Sequence, residues 1–213
     1  IPLYTRAGYQ PFTSDYIKEN PNKRYLGPSF YHNLRYKFRY TDKVYIGFTA
    51  EKDPGEPFFA GNNKKGYDYY SPYFYIRDFG KIRALALGNY RLNYGYGLVM
   101  NTDFNMGKTT ALNTLLNRES GIKKHSSTDE YNYFQGIAGS IQFSEHFTAD
   151  AFYSYRQMDG IVDNRFITSL KEDGYHRIPR DYEKKNSLTN QLIGSNIQYN
   201  GKNFELGLTA VYN

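Results

Sequence analysis

The sequence predicts an all-β fold, an antiparallel up-and-down transmembrane β-barrel, of which these 213 residues supply about eight strands of a larger one. Three observations predict it. Stretch after stretch alternates apolar and polar residues, and side chains of a strand point alternately to its two faces. The connections between these stretches alternate short and long, as in a meander with tight turns at one end and long loops at the other. The chain also holds 24 Tyr and 15 Phe but no Trp. Tyr suits a membrane–water interface because its ring is apolar while its hydroxyl can stay wet.

The elements follow in order. Residues 1–28 form an irregular lead-in punctuated by Pro2, Pro11, Pro21 and Pro28, whose first nine residues read as the end of a strand. Residues 29–213 hold the meander. The first strand, 30–40, sets Leu34, Tyr36, Phe38 and Tyr40 on one face and Asn33, Arg35, Lys37 and Arg39 on the other. A turn at 41–43 leads into the second strand, 44–52. A loop over 53–71, with Pro54-Gly55 and Gly61-Asn62-Asn63, precedes the third strand, 72–77. A turn at 78–81 then opens a long fourth strand, 82–100. The second half repeats the plan. A loop over 101–130 has a helical turn or two at 109–116. Strands at 131–143 and 147–158 flank a turn at 144–146, a charged loop covers 159–186, and strands at 188–199 and 203–212 flank the hairpin signal Asn200-Gly201. On this plan Thr41, Gly80, Glu145 and Gly201 sit at the periplasmic rim and the long loops face outward.

Composition narrows the class. Mean hydropathy is −0.74, and no run of about 18 apolar residues exists to make a helical span. That is compatible with a barrel, in which only every second strand residue meets lipid. The absence of cysteine excludes disulfides, thiolate nucleophiles and Cys-based metal sites. The net charge of +6 is spread over strands and loops, not packed into one arm or helix, so no nucleic acid is expected as partner. The chain starts at Ile1 and ends directly after a strand-like run, so it reads as a processed piece of a longer protein.

A lipid-facing Arg or Lys near the bilayer midplane costs about 2–4 kcal/mol. Arg35, Lys37, Arg39, Arg83, Arg91, Asp150 and Arg156 are therefore expected to point into the lumen. The row Arg35, Lys37, Arg39 is the leading functional candidate, because a ladder of cations in a pore favours anions. The competing expectation is that such inward charges pair with carboxylates on neighbouring strands or on a plug. Glycines 88, 95, 97, 136 and 139 lie within strands and mark either bends or places where a bulky inward residue needs room.

No catalytic constellation appears. Gly107-Lys108-Thr109 resembles the end of a phosphate-binding loop, but Thr102 stands where that loop needs glycine. His32, His125, His146 and His176 share no metal-ligand spacing, with His146 in a solvated turn. No Gly-x-Ser-x-Gly elbow occurs. Glu51, Asp53 and Glu56 read as a solvated loop before a Ca²⁺ site. The basic segment 176–180 with Lys184 and Lys185 reads as a solvated loop before a lipopolysaccharide contact. No enzyme, metal or cofactor is expected.

Four segments carry a resemblance: FTAEKDPGEPF at 48–58, GYDYY at 66–70, ALALGNY at 84–90 and YGYGL at 94–98. They resemble a family of large outer-membrane barrels of Bacteroides-type Gram-negative bacteria (Bacteroidota), described by the helix-hairpin-helix domains that precede the barrel. The resemblance covers about residues 25–160 and implies a porin-like barrel in the outer membrane within a longer parent protein. Outer-membrane lipid, lipopolysaccharide and other envelope proteins are the implied partners. The DNA contact suggested by helix-hairpin-helix domains is not carried over, since that part is not in this chain, and no catalytic residue is transferred. Two functions stay open: a channel, transporter or secretion-type component, and a plugged structural subunit of an envelope complex.

Overall fold

Alternation of side chains and of connection lengths builds one ten-stranded sheet. The structure is a computed structural model that describes residues 7–102, 121–163 and 166–213. The long strands are β1 (His32–Tyr40), β2 (Val44–Lys52), β3 (Tyr69–Phe79), β4 (Ile82–Tyr94), β7 (Phe134–Gln142), β8 (Phe147–Met158), β11 (Leu188–Asn200) and β12 (Glu205–Tyr212). They lie side by side in chain order. Short β5 (Met100–Asn101) and β6 (Gly121–Lys124) both pair with β4, and β9 (Gly160–Asp163) with β10 (Phe166–Leu170) makes a separate hairpin. The class is all-β and antiparallel. The sheet is open: β1 and β12 are its edges, and no pairing joins them among the described residues. The expected helical turn at 109–116, the Gly107-Lys108-Thr109 segment and the first six residues lie outside the described residues.

By internal packing the chain divides into two compact units. One comprises Ile1–Arg35, Thr49–Tyr70 and Gln157–Thr189; the other comprises Tyr36–Phe48, Ser71–Arg156 and Asn190–Asn213.

The second unit contains the central ladder, and its register defines two faces. Tyr75, Ala86, Ala138 and Phe152 form one cross-strand row, and Arg77, Ala84, Ser140 and Asp150 form the next row on the same face. Phe74, Leu87, Ile137 and Tyr153 form a row on the other face. The first face is covered: Ala86, Ala138 and Phe152 are at most 3% exposed. The second is open, with Leu87, Ile137 and Tyr153 at 39%, 47% and 40%. The polar residues are thus on the covered side and the large apolar ones face outward, the reverse of an ordinary soluble sheet.

The fourth predicted strand departs from the simple alternation. At Gly88 the backbone has φ +87°, and a Cβ there would lie 2.5 Å from the Pro72 carbonyl oxygen, so glycine is required. Pairing with β3 runs only as far as Gly88; beyond it β4 takes β6 on Tyr90–Asn93 and β5 on Asn93 and Tyr94. Asn89, Tyr90, Leu92, Asn93 and Tyr94 are all buried, so both faces of this half are covered. Tyr90, Leu92, Tyr94 and Ile122 pack with Ala84, Ala86, Ala138 and Phe152 as the unit's core. A 3₁₀ turn at Gly95–Gly97 ends β4 before residue 100.

The first unit is built from the lead-in and two long connections. Helix α1 (Ser14–Glu19) is capped by Thr13, whose Oγ1 accepts a hydrogen bond from the Tyr16 amide. The lead-in then zips onto later segments: Leu26 N–H donates to the Arg177 carbonyl (2.8 Å), Gly27 N–H to Gly55 (2.9 Å) and Gly55 N–H to Pro28 (2.9 Å). The connection expected as one charged loop over 159–186 contains the β9–β10 hairpin and helix α2 (Pro179–Lys184).

Candidate functional site

In the second unit the covered face borders a cavity of ≈ 720 Å³ lined by Arg77, Arg83, Asn93, Ser140, Asp150 and Asn196, among others. Alternation on β8 puts Asp150 there, in register with Ser140. Asp150 is 5% exposed. Its Oδ2 accepts a long bond from Asn196 Nδ2 (3.5 Å), and the Ser140 and Tyr94 hydroxyls stand beside it. No donor meets Oδ1 in hydrogen-bonding geometry, and among the described residues no cation forms an ion pair with Asp150. Thr209, opposite Asn196 on β12, donates to the Asn196 Oδ1 (2.9 Å) and so orients that amide.

In the first unit a charged network joins two long connections. His176 lies between two carboxylates: Nδ1 is 2.5 Å from Asp68 Oδ2 and Nε2 is 2.7 Å from Asp159 Oδ2. Both nitrogens are therefore donors, and the ring is an imidazolium. Lys185 Nζ is 2.5 Å from the other Asp68 oxygen. Two cations thus balance two carboxylates. Burial opposes the charge on His176, but the bonds to Asp159 and Asp68 outweigh it and raise its pKa to about 9. The same bonds hold Asp68 and Asp159 below the usual carboxylate range against the opposing effect of burial. Glu56 stands beside them, accepting from the His176 amide (2.8 Å) and the Asp53 amide (2.8 Å). Burial, helped by the Asp68 charge, pushes its pKa up to about 7.

Glu56, Asp68 and His176 bring ligand-type atoms within 4.8 Å of one another. The arrangement fits a metal poorly, because each imidazole nitrogen already donates to a carboxylate and Lys185 occupies Asp68. The network acts as a latch between segments more than 100 residues apart: the His176–Asp68 separation is 108 positions.

The residues singled out in the sequence are dispersed. Asp150 and Arg156 are buried on the same side of β8. Arg156 lies 3.8 Å from the Tyr133 ring centroid and donates to the carbonyls of Glu130 (2.5 Å), Tyr131 (2.5 Å) and Tyr133 (2.9 Å). It straps residues 130–133 to β8. Arg83 sits at a register shift between β4 and β7, lines the cavity and is 3.6 Å from Asp78. Arg91 is half-buried beyond the Gly88 bend, in register with Lys123. Arg35, Lys37 and Arg39 are exposed on edge strand β1, with Arg39 3.5 Å from Asp42.

The acidic group does not converge. Glu51 accepts from the Tyr31 hydroxyl (2.5 Å), Asp53 is 3.9 Å from Arg177, and Glu56 belongs to the latch. The basic segment is equally divided, with His176 and Lys185 in the latch and Arg177 stacked 3.5 Å over Tyr175. His146 Nδ1 is 2.9 Å from the Asn200 carbonyl. Asp68 and Asp159 carried no local signal, since their partners are remote in sequence. No family model, curated protein or solved structure matches the chain.

Proposed function

We propose that this chain is part of a β-barrel in the outer membrane of a Gram-negative cell, related to the family it resembles, and that it serves as a channel, transporter or secretion-type component. The observation that carries the reading is the reversed polarity of the sheet: Leu87, Ile137 and Tyr153 are open while Ser140, Asp150 and Ser154 are covered. A protein in water would expose a face of this kind only at large cost, at about 25 cal/mol per Å² of apolar surface. Aromatic rings cluster at strand ends, as the girdles of such barrels do. Phe147 and Tyr199 (4.9 Å between centroids) and Tyr199 and Phe204 (5.5 Å) meet beside the short turns of the second unit. Phe58 and Tyr67 (5.3 Å) meet in the first. No described helix is long and apolar enough to cross a membrane.

A second reading, a plugged structural or interaction subunit, is favoured by one specific feature. The half of β4 beyond Gly88, with β5 and β6, packs over the covered face. Conductance in planar bilayers separates the two. Steady ion flow that loses anion preference when Arg35, Lys37 and Arg39 are neutralised supports the channel. A silent bilayer, with the protein inserted, supports the plugged subunit. A chain that stays monodisperse in buffer without detergent refutes both.

A further inference from the structure

Cations from three strands gather near one tyrosine ring. Tyr45 on β2 lies on the covered face, its ring 6.1 Å from that of Tyr75. Lys124 Nζ on β6 is 4.5 Å from the centre of the Tyr45 ring, and Arg77 Cζ on β3 is 5.8 Å from it. Lys37 on β1 faces the same way, since its neighbour Tyr36 stacks on Phe48 on the opposite, open side. Backbone and hydroxyl contacts build this placement. The Tyr75 hydroxyl donates to the Ile122 carbonyl (3.0 Å), which draws β6, and Lys124 with it, toward β3. The Asp42 carbonyl accepts from both the Tyr45 hydroxyl (3.1 Å) and Arg77 Nε (2.9 Å), while the Asp42 carboxylate is engaged by Arg39 (3.5 Å). Lys37, Arg77 and Lys124 form no ion pair among the described residues. The charges that bear most on Lys124 are those of Arg77, Lys37 and Arg91, all of its own sign. Lys124 is half-buried, so solvent screens this repulsion less than at an open surface. Like charges held together in this way attract an anion.

We propose that Lys37, Arg77 and Lys124 bind a small phosphate-bearing solute beside the Tyr45 ring. With its Nε on Asp42, Arg77 keeps both Nη groups for a pair of phosphate oxygens. The two lysines reach further oxygens from separate strands, which suits a tetrahedral group better than a planar carboxylate. The covered face suits a soluble ligand rather than a lipid head group, whose chains belong with the apolar residues of the open face. The site goes beyond the choice between channel and plugged subunit, and it does not depend on the open face meeting lipid.

Pyrophosphate is the probe, titrated into the 213-residue chain at fixed ionic strength and followed by phosphorus NMR, in detergent or, if the chain needs none, in buffer. Saturable binding is expected, weakened about tenfold or more by Arg77→Gln and by Lys124→Gln. Lys202→Gln, which removes an exposed cation elsewhere in the same unit, leaves it unchanged. Lys37 is exposed on the edge strand, so its replacement spares the fold. Lys37→Glu supplies an internal carboxylate and weakens binding more than Lys37→Gln, so the test survives if Lys124→Gln fails to fold. Glycerol phosphate displaces the probe as well as dihexanoylphosphatidate, a short-chain lipid with the same head group. Absence of binding, an equal loss in the Lys202→Gln chain, succinate binding as tightly as pyrophosphate, or a clear preference for the lipid overturns the proposal.

Discussion

Replacing His176 with Gln tests whether the charged network holds two long connections together. The rise of the His176 pKa from its ordinary 6.5 to about 9 corresponds to about 3 kcal/mol of preference for the charged ring. A folded-state pKa raised in this way stabilises fully below pH 6.5 and is lost as the pH climbs through about 9. Glu56 adds to the trend. Its pKa, raised from 4.5 to about 7, favours the protonated form in the fold, so its contribution is also present at low pH and lost with rising pH. Asp68 and Asp159, held low, act in the opposite sense and withdraw their stabilisation as the pH falls below the ordinary carboxylate range. The latch is therefore tightest in mild acid. Trypsin reads it, because Arg177, Arg180, Lys184 and Lys185 lie in the latched connection. Where opening is fast relative to cleavage, a loss of about 3 kcal/mol makes the His176→Gln chain about 100-fold more sensitive near pH 6.5. The ratio between the two chains narrows toward unity near pH 10. Equal cleavage at pH 6.5, or a ratio that does not change with pH, refutes the reasoning.

Three further outcomes are expected. A Cβ at Gly27 would lie 1.8 Å from the Glu56 carbonyl oxygen, so Gly27→Ala separates the lead-in from residues 55–57. It costs about 1–3 kcal/mol and loosens the backbone around the exposed Lys18, Lys23 and Arg24, so trypsin cuts there faster. Arg156→Lys cannot supply the guanidinium fork that holds three carbonyls; it costs about 2 kcal/mol, read as faster amide exchange at residues 130–133. Leu87→Arg on the open face costs about 2–4 kcal/mol for a chain folded in lipid, against about 0.5 kcal/mol or less if that face meets water. Urea unfolding in bilayers distinguishes the two.

Elements whose physics is local were legible in the sequence. Strand β8 runs from Phe147 to Met158 as expected, because its alternation is unbroken and one face is covered while the other is open. Strand β2 keeps the expected bounds as well, although Thr49, Ala50, Glu51 and Lys52 are all buried and only its first half has an open position. The fourth strand was misread beyond Gly88. An alternation of Tyr and Leu with Asn and Arg continues there in the sequence, but a positive-φ bend and two short partner strands bury both faces of β4. Arg91, expected to face the lumen, is half-buried in this part of β4, in register with Lys123. Helix α2 left readable marks that the loop assignment passed over: Pro179 at its first position, and Asp181, whose carboxylate accepts from the Arg177 and Ile178 amides. The latch left none. His176 meets Asp68 and Glu56 across 108 and 120 positions, and spacing rules only find ligands or partners that one short segment supplies.

The central claim is that one face of this sheet meets lipid. The chain has no cysteine, so single cysteines introduced along Phe147–Met158 can each carry a nitroxide in reconstituted bilayers. Collision with oxygen, which concentrates in lipid, and with a water-soluble nickel chelate reports the surroundings of each site. Labels at 149, 151, 153 and 155 are predicted to be oxygen-accessible and nickel-protected, alternating with 150, 152 and 154. Nickel accessibility at the odd positions equal to that of a loop site would contradict the account.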